Sequence, residues 1–138
     1  MTALTETDLL ARVRSQLFIG GEWRDASDAQ TLDVRDPATN AVVKTIASAT
    51  VADGTAALDA AVDAFESWSR TPARERAELL RRAFDLLQER KEEFALLMTI
   101  EMGKPLAEAR GEVVYGGEFL RWFSEEAAHV QGRYGANP

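Results

Sequence analysis

Glu126 and His129 stand three residues apart near the end of a long helical pattern, the Glu-x-x-His spacing with which carboxylate bundles hold paired iron ions. That chemistry needs two such motifs and two further inward glutamates, and His129 is the single histidine. A homodimer could supply the second motif, but a solvated helix end carrying a histidine is the stronger reading, because short motifs often misfire. Gly111-Glu112-Val113-Val114-Tyr115-Gly116 has the glycine spacing of a phosphate loop. Gly117 and Glu118 follow where that loop needs Lys and Ser or Thr, and the segment lies inside a helix rather than ahead of one. The phosphate reading is rejected. No Gly-x-Gly-x-x-Gly occurs, so the chain carries no dinucleotide fingerprint of its own. Tyr115, Phe119 and Trp122 form an aromatic stripe at i, i+4, i+7. Core packing is the usual role of such a stripe; the other is the apolar wall of a substrate channel. No Ser/His/Asp set, carboxylate pair or metal cluster can be argued from one histidine and scattered acids.

The elements expected to position these residues fall into three zones. Residues 1–16 are polar with a short Leu9/Leu10/Val13 stripe and read as a frayed helix or a tail. Residues 17–49 read as a small antiparallel sheet of short strands. Gly20-Gly21 separates two apolar runs, a hairpin signal because tight hairpin turns need positive φ. Thr31 to Arg35 alternates as a half-buried strand does. Asp36-Pro37-Ala38-Thr39-Asn40 is a turn, and Ala41 to Ala47 is the next strand.

From residue 50 to 131 the pattern is helical. Thr50-Val51-Ala52-Asp53 has capping-box spacing, with Asp in place of the usual Glu. Leu58, Ala61, Val62 and Phe65 share one helical face. Thr71-Pro72 stops that helix and starts another, with Thr71 as the expected cap. Leu80, Ala83, Phe84 and Leu87 make the next apolar stripe. The charged run from Gln88 to Glu93 predicts a kink or break, after which Phe94, Leu97 and Met98 resume the apolar face. Arg74–Glu78 and Glu78–Arg82 are spaced for ion pairs on a solvated face. Gly103-Lys104-Pro105 is a strong break. The last helix is expected from Pro105 to about His129. Between Val113 and Phe123 it is apolar on more than one face, the mark of a helix buried on two sides. Gly111, Gly116 and Gly117 lie inside it at about 1 kcal/mol each against alanine, which close approach by another element would offset. A chain of 138 residues has little left to cover both sides, the first sign of a larger whole.

Composition narrows the classes. Hydrophobic residues are 46% of the chain, too many for wholesale disorder. A net charge of −7 argues against nucleic-acid and anionic-membrane surfaces, which select a basic face. The absence of cysteine excludes a disulfide scaffold, a zinc-thiolate site and a cysteine nucleophile within this chain. No signal peptide or membrane span is read, and the expected location is cytoplasmic. Thirteen arginines against three lysines, with abundant alanine, hint at a GC-rich bacterial source.

Four segments together resemble one family. Phe18-Ile19-Gly20-Gly21-Glu22-Trp23 is similar to the opening hairpin of the aldehyde dehydrogenases. Asp36-Pro37-Ala38-Thr39-Asn40-Ala41-Val42-Val43 resembles the Asn-Pro-Ala-Thr-Gly-Glu-Val segment that follows it there. Glu101-Met102-Gly103-Lys104-Pro105-Leu106-Ala107-Glu108-Ala109 resembles that family's Glu-x-Gly-Lys-Pro-x-x-Glu-Ala. Glu118-Phe119-Leu120-Arg121-Trp122-Phe123-Ser124-Glu125-Glu126-Ala127 is most similar to the succinate-semialdehyde branch. Asp36, Asn40, Ser124 and the segment Gly132 to Pro138 depart from the commoner residues. The departures leave the family resemblance intact and keep glutarate semialdehyde open beside succinate semialdehyde, since pockets separate such neighbours by only ~1–3 kcal/mol.

The resemblance implies an α+β segment, short antiparallel strands followed by three to four helices, belonging to an α/β fold with a Rossmann-like cofactor domain. Residues 17–138 would be the N-terminal part of that cofactor-binding domain, ahead of the catalytic domain. It implies oxidation of an aldehyde by NAD or NADP. A cysteine thiolate attacks, a backbone amide and an Asn hold the oxyanion, and a Glu activates water. In the family pattern all of these groups lie beyond Pro138, so this chain alone is expected to be inactive and to bind no cofactor. Its implied partners are the remainder of the dehydrogenase chain and, at full length, further copies in a homo-oligomer. The helix from Pro105 resembles the one flanking the aldehyde entrance tunnel, which puts the channel reading of Tyr115, Phe119 and Trp122 level with core packing, with Tyr115 most directly on the tunnel side. The rival reading is a stand-alone, non-catalytic interaction module derived from the same fold.

Overall fold

The computed structural model describes residues 5–129, and the expectations for residues 1–4 and for Gly132 to Pro138 lie outside them. The order of elements is α1 (Glu6–Arg12), β1 (Leu17–Ile19), β2 (Glu22–Arg24), β3 (Thr31–Arg35), β4 (Val42–Ala47), α2 (Val51–Ser69), α3 (Ala73–Glu89), α4 (Lys91–Met102) and α5 (Leu106–Glu126). The N-terminal stretch is a docked helix rather than a frayed one. Thr5 caps α1 by accepting from the amide of Asp8, Leu9 is buried, and Arg12 pairs with Glu93 on α4.

The strands form two separate antiparallel pairs, β1–β2 and β3–β4, instead of one sheet. Gly20 and Gly21 have φ of 64° and 87°, the positive values that a two-residue hairpin turn demands. The β3–β4 turn is held by the Asp36 carboxylate, which accepts from the Ala38 amide at 2.8 Å and the Thr39 hydroxyl at 2.7 Å. Those bonds hold the Asp36 carboxyl below its ordinary range, with the Thr39 hydroxyl the larger cause and the Ala38 amide next. Asn40 sits at φ 59°, a conformation that Asn tolerates.

A complete capping box starts α2. The Asp53 carboxylate accepts from the Thr50 amide at 2.9 Å and also from the Ser27 amide at 3.1 and 3.2 Å. One buried carboxylate therefore ties the loop after β2 to the first turn of α2. These amides, Thr50 first and Ser27 next, lower its pKa to about 2.

Thr71 does not cap α3. Its hydroxyl donates to the Ser67 carbonyl at 3.3 Å and closes α2, while Pro72 precedes α3 with no side-chain cap. The break in the charged run falls at Arg90, which ends α3 and begins α4. Gly103 ends α4 at φ 74°, and a Cβ there would stand 2.9 Å from the Pro37 ring. That contact seats the β3–β4 turn on the α4–α5 junction. Neither Arg74–Glu78 nor Glu78–Arg82 closes among the described residues; the pair formed along α3 is Arg81–Asp85.

The core is small. Ala95, Ala109 and Val113 are buried, with Leu87, Met98 and Leu106 packed around them where α3, α4 and α5 meet. Charge fastens its edges: Arg110 on α5 makes a two-pronged contact with Glu92 on α4 at 2.8–3.0 Å, and Lys104 pairs with Glu112. The face of α2 carrying Leu58, Val62 and Phe65, periodic as a core face should be, stays exposed. No helix among the described residues is long and apolar enough to cross a membrane.

Candidate functional site

Helix α5 places the aromatic stripe. Ala109, Val113, Gly117 and Ser124 are its buried residues. At about 100° per residue, Trp122 stands about two and a half turns from Val113, half a turn around the axis. Tyr115 and Phe119 fall close to the same outward line. Burying the Ala109–Val113–Gly117 edge against α3 and α4 therefore turns all three aromatics away. Tyr115 is 69% exposed, Phe119 49% and Trp122 61%. Among the described residues the stripe is thus not core, and of the two apolar sides expected of α5 they cover one.

The three aromatics do come together. The Tyr115 and Phe119 rings meet edge to face at 5.2 Å. With Glu118, Trp122 and Phe123 they border a shallow apolar hollow of about 330 Å³. Glu118 is engaged by Arg121 at 2.8 Å at its edge. The hollow offers aromatic faces and one phenol to a ligand. Its one carboxylate, Glu118, is held in that ion pair, and the apolar remainder suits binding and guiding an apolar or extended molecule.

Gly117 alone of the three α5 glycines meets a neighbour: an added Cβ would stand 2.9 Å from Gln88 Nε2 and 3.4 Å from Leu87 Cδ2. Gly111 and Gly116 face open space. The close approach expected of all three is thus realised at one.

Glu126 and His129 lie 4.0 Å apart at an exposed helix end, and no cluster of three metal-ligating side chains occurs among the described residues. The strands pair only antiparallel, so the described residues contain no parallel strand–helix–strand turn of the kind that cradles a dinucleotide. The residues present do not fit a nicotinamide cofactor.

Sequence reasoning missed a second concavity. The C-terminal end of α2, the N-terminal half of α3 and the C-terminal end of α5 enclose a groove of about 640 Å³ lined by Trp68, Leu79, Trp122 and Phe123. Its residues come from three segments whose meeting no local periodicity announces. The link from Asp53 to Ser27 was equally hidden, since only the Thr50–Asp53 half of it is local. Arg110–Glu92 spans two helices; it lowers the Glu92 pKa and raises that of Arg110, chiefly through their side-chain hydrogen bonds. Glu93 is held low first by Arg12 and then by Arg90.

The sequence model of the aldehyde dehydrogenase family matches residues 23–137. A succinate-semialdehyde dehydrogenase of Paenarthrobacter nicotinovorans is 65% identical over 97 residues, 70% of this chain and 22% of that protein. A glutarate-semialdehyde dehydrogenase of Pseudomonas aeruginosa is 44% identical over 119 residues, 86% of this chain and 25% of that protein. Among solved structures, an aldehyde dehydrogenase from Brucella melitensis biovar abortus superposes over 100% of this chain and 28% of its own with a TM-score of 0.89 at 43% identity. A betaine aldehyde dehydrogenase from Staphylococcus aureus, solved in complex with NAD+, covers 95% of this chain and 26% of its own with a TM-score of 0.92 at 29% identity. The chain spans about a quarter of the length of the relatives it matches.

Proposed function

The chain belongs to the aldehyde dehydrogenase family, and from that premise we propose that it is the N-terminal part of a cytoplasmic enzyme oxidising a dicarboxylic semialdehyde, succinate or glutarate, to the diacid. The reaction takes the aldehyde, water and NAD(P)+ to the acid, NAD(P)H and a proton. The observation that carries the reading is identity of 65% to a succinate-semialdehyde dehydrogenase and 44% to a glutarate-semialdehyde dehydrogenase across the matched stretch. Within such an enzyme this chain contributes structure and an entrance wall. The thiolate that attacks the aldehyde comes from elsewhere, because the chain has no cysteine. The outward hollow at Tyr115, Phe119 and Trp122 suits the side of an aldehyde channel: it is mostly apolar, its one carboxylate, Glu118, is paired with Arg121, and it lies on a helix anchored from behind.

Two assays test this. The isolated chain, given either semialdehyde with NAD+ or NADP+, forms no reduced nicotinamide; turnover above buffer would refute its inactivity. Grafted in place of the matching stretch of the Paenarthrobacter relative, it yields an active enzyme. In that graft Tyr115→Ala raises KM for the aldehyde several-fold and leaves KM for the nicotinamide unchanged. Unaltered aldehyde kinetics would remove Tyr115 from the channel.

A further inference from the structure

We propose that Gly111 is a specificity-determining gap in the aldehyde channel, a space one helical turn ahead of Tyr115 that takes the carbon chain of an extended aldehyde. The proposal rests on the reading of the function above. Glycine is a poor helix former, so a glycine inside a helix calls for a physical reason. Three common reasons are absent at Gly111 among the described residues. Its backbone is that of α5, and the glycines at positive φ are Gly20, Gly21 and Gly103. Close packing does not demand it: an added Cβ would meet nothing within 4 Å, whereas at Gly117 it would meet Gln88 and Leu87. Nor is this turn a hinge, because both chain neighbours of Gly111 are fastened. Arg110 makes its two-pronged contact with Glu92 at 2.8–3.0 Å, and Glu112 pairs with Lys104. What remains is the missing side chain itself, and the room it leaves.

That room lies on the aromatic line. At about 100° per residue, Gly111 is about 40° around the axis from Tyr115 and about 20° from Trp122, and about 6 Å before Tyr115 along it. Gly111 is exposed, as Tyr115 is. The aromatic wall of Tyr115, Phe119 and Trp122 therefore continues, one turn towards the start of α5, into bare backbone held at a fixed position. Gly116 is equally open but stands about 100° from Tyr115, off this line. A molecule lying along the aromatics meets the gap at Gly111 and not the one at Gly116. The longer of two aldehydes covers more of the wall, so filling the gap hinders it more.

Kinetics of the graft into the Paenarthrobacter relative test this. Gly111→Ala and Gly111→Leu lower kcat/KM for glutarate semialdehyde in steps, several-fold at leucine. They lower it less for succinate semialdehyde, and KM for the nicotinamide does not move. Gly116→Ala leaves the ratio between the two aldehydes as it was. Urea denaturation of the chain carrying Gly111→Ala gives a midpoint no lower than that of the unaltered chain, so the loss of activity is not a loss of fold. Equal falls for both aldehydes, or a nicotinamide KM that shifts with them, would make Gly111 a packing position and overturn the proposal. Aldehyde kinetics unchanged at both substitutions would overturn it too. In either case the proposed function stands as long as the unaltered graft oxidises a semialdehyde; an unaltered graft that oxidises neither overturns the reading beneath.

Discussion

Asp53 shows how much one side chain can hold. Its carboxylate closes the capping box of α2 and accepts the Ser27 amide from the preceding loop, in a position only 4% exposed. Those bonds form to the charged carboxylate, and they lower its pKa from 3.8 to about 2. A lowered folded-state pKa means that the carboxylate contributes stability above about pH 4 and loses it as pH falls towards 2. Asp53→Asn should therefore unfold at lower urea than the wild type at neutral pH, with the gap narrowing through that window and closing near its lower end. A gap independent of pH would show that the charge is not what holds the loop. Its capping partner Thr50 is expected to matter too: Thr50→Ala should cost about 1 kcal/mol, the usual worth of a side-chain N-cap.

Helix α5 is buried along one side and exposed along the other among the described residues. Its three glycines sit in different surroundings. At Gly111 and Gly116 nothing lies within 4 Å of an added Cβ. Gly111→Ala and Gly116→Ala should each stabilise the chain by roughly 0.5–1 kcal/mol, the helix-propensity difference. At Gly117 a small addition displaces only the flexible Gln88 amide, but a larger one meets Leu87 and Phe84. Gly117→Leu should destabilise by about 1–3 kcal/mol through overpacking. Chemical denaturation of the chain measures all three. If the two open glycines await close neighbours in a larger enzyme, the alanine changes that help the chain will impair the graft; equal benefit in both would mean that no such neighbour arrives. Helix α2 poses the same question, because Leu58, Val62 and Phe65 form a face with nothing on it.

For the whole molecule the relevant quantity is surface. Among the described residues the buried hydrophobics, Leu9, Ala26, Ala95, Ile100, Ala109 and Val113, are few for the length, and Phe65, Tyr115, Trp122 and Phe123 face outward. The isolated chain should bind a hydrophobic dye strongly and self-associate in sedimentation. A monodisperse, cooperatively unfolding monomer without dye binding would favour the stand-alone module over part of a larger enzyme.

What the sequence determined by itself was local. The Gly20-Gly21 hairpin, the Asp36–Asn40 turn, the Thr50–Asp53 cap, the break near Arg90 and the Gly103 stop each depend on φ preferences or hydrogen bonds within a few residues, and each was legible there. So was the family, because four ordered motifs need no three-dimensional information. What only the tertiary structure decided is which apolar faces are covered. Periodicity marks Leu58, Val62 and Phe65 on α2 as readily as it marks Ala109 and Val113 on α5, since a hydrophobic stripe records that a face is built for burial and not what buries it. In this chain α3 and α4 reach one side of α5 and leave the other open, so Tyr115, Phe119 and Trp122 became a surface. The groove beside Trp122 was beyond reach for the same reason: its walls come from three helix ends, and long-range packing sets their distances.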